Sequence, residues 1–292
     1  MRRWSFTKGH GTENDFVVLL DRDDVLDLTP AVVRFLCDRR AGIGGDGVLR
    51  AVFSRHVPEL AGPAAETEGA VWFMDYHNAD GSLAQMCGNG VRVFARFLLD
   101  QGVATGPVIP IATRAGVRTA TVQPDGQIRV AMGPVRLGPD SVTVRTTDGH
   151  EFAAVPADVG NPHAVSFSDD LDRLDLRAAP SFDPAAFPEG VNLEFVQRLG
   201  ANHLRMRVFE RGSGETRSCG TGVVAAAAVA RSTEVDPTPG PVRYRIDVPG
   251  GVTTVELEAN EAYLTGPAVL VAHGGVAIPD ELFAAREVLV AR

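Results

Sequence analysis

Two stretches of this chain follow one plan, and that repetition restricts the folds open to it more than any other feature. Leu83 to Gly102 reads LAQMCGNGVRVFARFLLDQG, and Glu215 to Arg231 reads ETRSCGTGVVAAAAVAR. In each, a cysteine (Cys87, Cys219) stands between a polar stretch and an apolar run and is followed by Gly-X-Gly. The run GVVAAAAVA has no polar face before Arg231, so as a helix it belongs inside its domain rather than on a surface. The helix predicted over Val91–Asp100, closed by Gly102, is also mostly apolar, with Val91, Val93, Phe94, Phe97 and Leu98. Strand-like segments surround both runs. FVVLLD, GVLRAVF and AVWFMDY precede the first, and VIPIAT, GVRTATVQ and QIRVAMG follow it. GNPHAVSF and the alternating HLRMRVFE precede the second, with VRYRIDV, GVTTVELE and AYLTGPAVLVA after it. A repeat of this length predicts two similar domains. The expected class is α+β: two pseudo-symmetric domains, each a mixed, barrel-like sheet wrapped around one central buried helix.

The remaining local signals are simpler. In TPAVVRFLCDRR, Thr29 is a predicted N-cap and Pro30 the first helical residue; Cys37 on its apolar part reads as a core residue. GIGGDG (Gly42–Gly47) reads as a tight turn into the following strand rather than a phosphate loop. Arg55–Gly69, rich in Pro, Gly and Glu, reads as an exposed connection.

Bulk properties exclude several function classes. A length of 292 residues suffices for a core without staples, and 22% charged residues is ordinary for a soluble protein. The formal charge of -9 disfavours a nucleic-acid surface. No apolar run is long enough to span a bilayer, and MRRWSFTKGHG has no h-region of a signal peptide. Three cysteines without an export signal fit a reducing cytoplasm, and no CxxC, HxH or HExxH supplies metal-ligand spacing. Lys8 is the one lysine in the chain. Unless Lys8 forms the Schiff base, pyridoxal phosphate chemistry is excluded. No cofactor is expected.

The first backbone amides of a helix lack internal partners and carry the positive end of the helix dipole. Glycines beside an Asn or Thr let those amides crowd around an anion, whether carboxylate or thiolate. An ordinary thiol with pKa about 8.5 is only a few per cent ionised at pH 7. A helix end contributes roughly 0.5–2 kcal/mol, enough to bring a thiol toward half ionised. One thiolate and one thiol together can remove a proton on one side of a carbon and deliver one on the other. A redox switch or thiol oxidoreductase is the alternative, although such pairs are more often local, as CxxC.

These residues resemble a known family. KGHGTENDFVVL, NADGSLAQMCGNGVRVFARF, GNPHAV, VNLEFV, VFERGSGETRSCGTG and VPGG match the pattern of the diaminopimelate epimerases, over about Phe6 to Gly275. The resemblance implies a cofactor-independent epimerase interconverting LL- and meso-2,6-diaminopimelate, on the path to lysine and peptidoglycan precursors. It implies the fold of that family, a cleft between two domains (1–131 completed by 263–292, and 132–262), a homodimer, and catalysis by Cys87 and Cys219. By the same resemblance Asn14, Asn78, Asn161 and Asn192 hydrogen-bond the substrate, and Glu210 and Arg211 grip its distal, non-reacting end. The amides of Gly88, Asn89, Gly220 and Thr221 hold the reacting carboxylate, and His163 stands near the cleft as a bracing residue. Many members carry glutamine where this chain has Gly47, which leaves that contact unassigned. The tail VAIPDELFAAREVLVAR runs past the usual end and reads as a helix with Leu282, Val288 and Leu289 on one side, to which no role is assigned. The related proline and hydroxyproline racemases share the two-cysteine logic without this set of motifs. A racemase of a cyclic imino acid and a non-catalytic thiol switch are therefore the competing readings.

Overall fold

The computed structural model describes residues 1–62, 64–234 and 239–286. The chain divides into two units, Met1–Ile128 with Ala268–Arg292, and Arg129–Pro267.

In the first unit β1 (Arg2–Gly11) and β2 (Asn14–Leu20) form an antiparallel hairpin. Its turn residues Thr12 and Glu13 both take positive φ, 50° and 61°. Helix α1 (Pro30–Cys37) then carries the chain to β3 (Gly47–Phe53), which runs parallel to β2. The start of α1 is fixed as its sequence predicts: Thr29 accepts a hydrogen bond from the Val32 amide, and Pro30 opens the first turn. Val32, Val33, Leu36 and Cys37 pack with Trp4, Val17 and Leu19. Burial pushes the Cys37 thiol up to about 12, which leaves it a packing residue.

Between β3 and β4 (Trp72–Asn78), where the sequence reads as an exposed connection, the chain instead forms two short helices, α2 (Pro58–Ala61) and α3 (Ala64–Thr67). Val57, Ala61 and Ala65 fall four residues apart and bury against Val52, Phe73 and Ala112. The Pro, Gly and Glu composition masked that apolar spacing. Strand β4 lies antiparallel to β3 and, beyond helix α4 (Gly88–Asp100), parallel to β5 (Val108–Thr113), which pairs antiparallel with β6 (Gly116–Val122).

The second unit opens with β7 (Ile128–Gly133), β8 (Arg136–Leu137) and β9 (Val142–Arg145) and then repeats the first unit's path. Strand β10 (Glu151–Asp158) pairs antiparallel with β11 (Pro162–Phe167). After β12 (Ser181–Phe182), β13 (Asn192–Gly200) runs parallel to β11 and antiparallel to β14 (His203–Glu210). Strand β15 (Gly214–Thr216) folds back on β14, and helix α5 (Gly220–Ser232) leads to β16 (Val242–Val248), parallel to β14. Strands β17 (Gly251–Leu257) and β18 (Ala262–Gly266) complete the unit, with β18 also pairing with β7. Strand β19 (Val269–Ile278) returns to the first unit and lies antiparallel to β1.

The order of strand senses is thus the same in both: antiparallel, parallel, antiparallel, parallel, antiparallel. Each central helix lies between the fourth and fifth strands of that series and is buried. From Gly220 to Ala230 every residue of α5 is buried, as the absence of a polar face requires. In α4 the buried set includes one charge, Arg92. No described helix is long and apolar enough to cross a membrane. The C-terminal stretch is a 3-10 turn over Asp280–Arg286 that seats Phe283 against Trp4. The expected tail positions Val288 and Leu289 lie outside the described residues.

Candidate active site

Register places residues of the two units in correspondence. Phe16 pairs with Gly47, and Gly47 with Asn78; His163 pairs with Asn192, which lies one step beyond the Leu193–Phe209 pair and so opposite Glu210. Asn14 therefore corresponds to Asn161, Gly47 to Asn192, and Asn78 to Glu210. Cys87 and Cys219 are the residues immediately before α4 and α5, both in extended backbone, with φ of -143° and -120°. Each cysteine is thus the N-cap of its helix, and the Gly-X-Gly that follows forms the first turn.

In the first unit Cys87 is half-buried. Its sulfur accepts a hydrogen bond from the Gly90 amide at 3.4 Å, and the thiol donates to Asn14 Oδ1 at 3.6 Å. Asn14, Asn89 and Cys87 thus form one group, since Asn89 Nδ2 donates to the same oxygen at 3.2 Å. Asn14 is oriented by donating to Asp46 Oδ2 at 2.7 Å. Burial, together with the nearby Asp15 carboxylate, raises the Asp46 pKa, against the opposing pull of Asn14 and Arg39. Asn78 ends β4 and donates to Ser82 Oγ at 3.0 Å, within the NADGS turn. Gly88 and Asn89 are buried in the first turn of α4. Lys8 pairs with Asp15 at 2.6 Å.

In the second unit Cys219 is buried, and its sulfur lies 3.5 Å from Thr221 Oγ1. Burial raises the Cys219 pKa well above that of a free thiol, and the Glu210 and Glu194 carboxylates push it in the same direction. Asn161 Oδ1 meets His163 Nε2 at 3.0 Å, and His163 Nδ1 meets Glu194 Oε1 at 2.7 Å. Asn192 bridges two strand ends: Nδ2 donates to the Pro162 carbonyl at 3.2 Å, and Oδ1 accepts from the Arg211 amide at 3.0 Å. The Arg211 guanidinium is exposed and donates to the Glu189 carbonyl, while Glu210 accepts from Thr216. Gly220 and Thr221 are buried at the start of α5.

Of the expected residues, Gly88, Asn89, Gly220 and Thr221 lie in the first turns of the central helices, Asn14 touches Cys87, and Asn78, Asn161, Asn192, Glu210 and Arg211 stand at or next to strand ends. Chemically, each unit offers a sulfur and a ring of helix-terminal amides suited to an anion. Among the described residues no group of three or more His, Cys, Asp or Glu side chains is arranged to hold a metal.

A sequence model of the family described as diaminopimelate epimerase matches residues 6–138 and 155–271. The diaminopimelate epimerase of Streptomyces coelicolor is 53% identical over 278 residues, spanning 93% of this chain and 95% of that protein. The chain belongs to the diaminopimelate epimerase family. Solved structures bear on the fold alone. A phenazine biosynthesis protein of the PhzF family from Bacillus anthracis matches with a TM-score of 0.68 at 15% identity, over 95% of this chain and all of that one. A probable proline racemase from Agrobacterium radiobacter K84 matches with a TM-score of 0.67 at 18% identity, over 94% and 93%.

Against the family pattern, Gly47 is explained by space. A Cβ at Gly47 would stand 2.5 Å from the His77 carbonyl oxygen and 2.7 Å from the Tyr76 ring, so no larger residue fits without moving the β3–β4 pair. The preceding residue, Asp46, accepts a hydrogen bond from Asn14. Sequence reasoning also passed over Arg92, buried in α4 with Nη2 donating to Asn89, and Glu194, buried on β13 close to Gly222 and Cys219. Their signal was present, as single charges inside apolar elements (GVRVF and VNLEFV).

Proposed function

We propose that this chain is a cofactor-independent epimerase interconverting LL- and meso-2,6-diaminopimelate, with Cys87 and Cys219 as the two proton-transferring groups. The observation that carries it is the recurrence of a cysteine at one position of a repeated unit, each at the start of a buried helix, in a member of this family. In the forward step a thiolate takes the α-proton, so that the Cα–H bond breaks and an S–H bond forms. The opposite thiol gives its proton to the other face of the carbon and becomes the thiolate. The roles exchange in reverse. Negative charge grows on the α-carboxylate as the proton leaves, and the amides of Gly88, Asn89, Gly220 and Thr221 are the donors assigned to it. Asn14, Asn78, Asn161 and Asn192 are assigned to the polar groups of the substrate, Glu210 and Arg211 to its distal end, and His163 to bracing Asn161. The family resemblance also carries a homodimer, which light scattering of purified protein tests. The cysteines are all free, which fits a reducing compartment, and we assign the chain to the cytoplasm.

The test is proton exchange in deuterated water. Purified protein is incubated with LL-diaminopimelate under reducing conditions with no cofactor added, and the α-hydrogen is followed by NMR. The expected result is deuterium entering as the meso isomer forms, with net inversion reduced by roughly 10²-fold or more in both Cys87→Ser and Cys219→Ser. No exchange in the wild-type protein rejects the assignment of substrate.

A further inference from the structure

The oxygen and nitrogen of an asparagine side chain are alike in shape, so the direction of its amide is set by what its neighbours can donate or accept. At Asn14 that direction is forced from two ends. Arg92, 0% exposed in α4, carries only donors, and its Nη2 donates to Asn89 Oδ1 at 2.9 Å and to Thr12 Oγ1 at 3.2 Å. The nitrogen of Asn89 therefore faces Asn14 and donates to its Oδ1 at 3.2 Å. At the other end Asp46 acts only as an acceptor. Its Oδ2 accepts from the Asp15 backbone amide at 3.1 Å, and its Oδ1 accepts from Arg39 Nη2 at 2.7 Å. The Asn14 atom that meets Asp46 at 2.7 Å is therefore the nitrogen, Nδ2. Both ends agree, and the hydrogen bonds run one way, from Arg92 to Asn89 to Asn14 to Asp46.

The second half of the repeat lacks both ends of this line. Counted from the two cysteines, Arg92 corresponds to Val224 and Asn89 to Thr221; counted from Gly47 and Asn192, Asp46 corresponds to Val191. Val224 is 0% exposed, so an apolar side chain fills the place of Arg92 in the equivalent core. The Arg92 Nε and Nη1 have no hydrogen-bond partner. A buried guanidinium with two unpaired nitrogens costs stability that a valine does not. Packing alone gives no reason for Arg92, whereas directing the Asn89 amide does.

The hydrogen-bond inventory of Asn14 then has one opening. Its Oδ1 has two lone pairs, which take Asn89 Nδ2 and the Cys87 thiol. Its Nδ2 has two hydrogens; one goes to Asp46, and the other has no partner among the described residues. We infer that Asp46 and Arg92 are positioning residues that hold Asn14 as a donor toward the substrate, so that Asn14 binds a carboxylate oxygen and not an ammonium group. This rests on the proposed epimerase reading and deepens it. Diaminopimelate presents both groups at each end, and an asparagine free to turn would serve either. A fixed amide direction selects how that end is seated.

Neutron diffraction from deuterium-exchanged crystals of the ligand-free protein reads the amide directly. Two deuterons are expected on the Asn14 atom facing Asp46 and none on the atom facing Asn89 and Cys87; the reverse, or a mixture, overturns the inference. Exchanging two residues then separates the outward hydrogen from the internal line. Asn14→Asp alone sets two carboxylates in contact and is expected to lower the urea midpoint. Adding Asp46→Asn restores the line, because the new amide at position 46 donates to the new carboxylate at position 14, but no outward hydrogen remains. The double variant is expected to regain stability over Asn14→Asp while its KM for diaminopimelate stays raised at least about tenfold. A double variant no more stable than Asn14→Asp, or one with the wild-type KM, overturns the inference. If the variants do not fold, the neutron reading decides alone. That reading needs no turnover, so an inactive protein with the expected deuterons rejects the substrate assignment and keeps the amide direction. An active protein with reversed deuterons does the opposite.

Discussion

At the scale of residues, the chemistry proposed for this chain depends on groups whose surroundings differ more than their types. Cys37, Cys87 and Cys219 are all free thiols. Cys37 is sealed in a core and has its pKa pushed to about 12, whereas the other two stand where helix amides converge. Glu210 and Arg211 separate the proposed substrate from one lacking a second amino-acid end. Charge-assisted hydrogen bonds of the kind assigned to them are worth roughly 1.5–3 kcal/mol each. Arg211→Ala is therefore expected to lower kcat/KM on diaminopimelate about ten- to a hundredfold. It should do so without loss of fold, because the Arg211 guanidinium is exposed and its lost partner is the Glu189 carbonyl. Steady-state kinetics checks this, and a double Glu210→Ala, Arg211→Ala protein with full activity on diaminopimelate counts against the assigned substrate. Asn192 illustrates a different dependence: its side chain ties the Pro162 carbonyl to the Arg211 amide, so it shapes the strand ends before any ligand is present.

At the scale of elements, the Gly-X-Gly that follows each cysteine does unequal work in the two helices. Gly90 leaves ordinary contact distance to Leu49, and Gly90→Ala should be neutral or stabilise by up to about 1 kcal/mol, as alanine generally does inside a helix. Gly222 faces Glu194 Oε1, where a methyl group would stand at 2.7 Å. The carboxylate is held by His163 at 2.7 Å and is fully buried, so it cannot swing aside into solvent. Gly222→Ala should therefore destabilise by about 1–3 kcal/mol. Urea denaturation of the pair of variants checks the contrast, and equal midpoints would show that Glu194 yields.

At the scale of the whole molecule, stability is expected to fail on the acid side through one buried ionic network. Asp75, 2% exposed, accepts from Arg50 Nε at 2.8 Å and is met by Arg114 and by His77 Nε2 at 3.0 Å. Burial by itself raises the pKa of this carboxyl, but His77, Arg50 and Arg114 outweigh it and hold the pKa well below the ordinary value. A depressed folded-state pKa adds stability that is complete above the unfolded value of about 3.9 and is lost as pH falls through and below it. The denaturation midpoint of the wild-type chain should drop on acidification below about pH 4, and Asp75→Asn should be weaker at pH 7 with a flatter acid branch. An unchanged acid branch would assign the loss to other carboxylates. Much of this molecule was legible in its sequence, because periodicity and chemistry coincided. The two apolar runs behind Cys-Gly-X-Gly specified two buried helices, the alternation in HLRMRVFE specified a half-buried strand, and Thr29-Pro30 specified a helix start, each by contacts within a few residues. The polar composition of Arg55–Gly69 hid two short helices because burial there rests on three alanine- and valine-sized side chains rather than on a hydrophobic face. Only the tertiary structure decided that Gly47 has no room for a side chain, that Asn14 is held by Asp46, that Arg92 reaches Thr12, and that Glu194 lies against Gly222. Each depends on strand register between segments tens of residues apart, and local sequence carries no record of which residue a register will set opposite another.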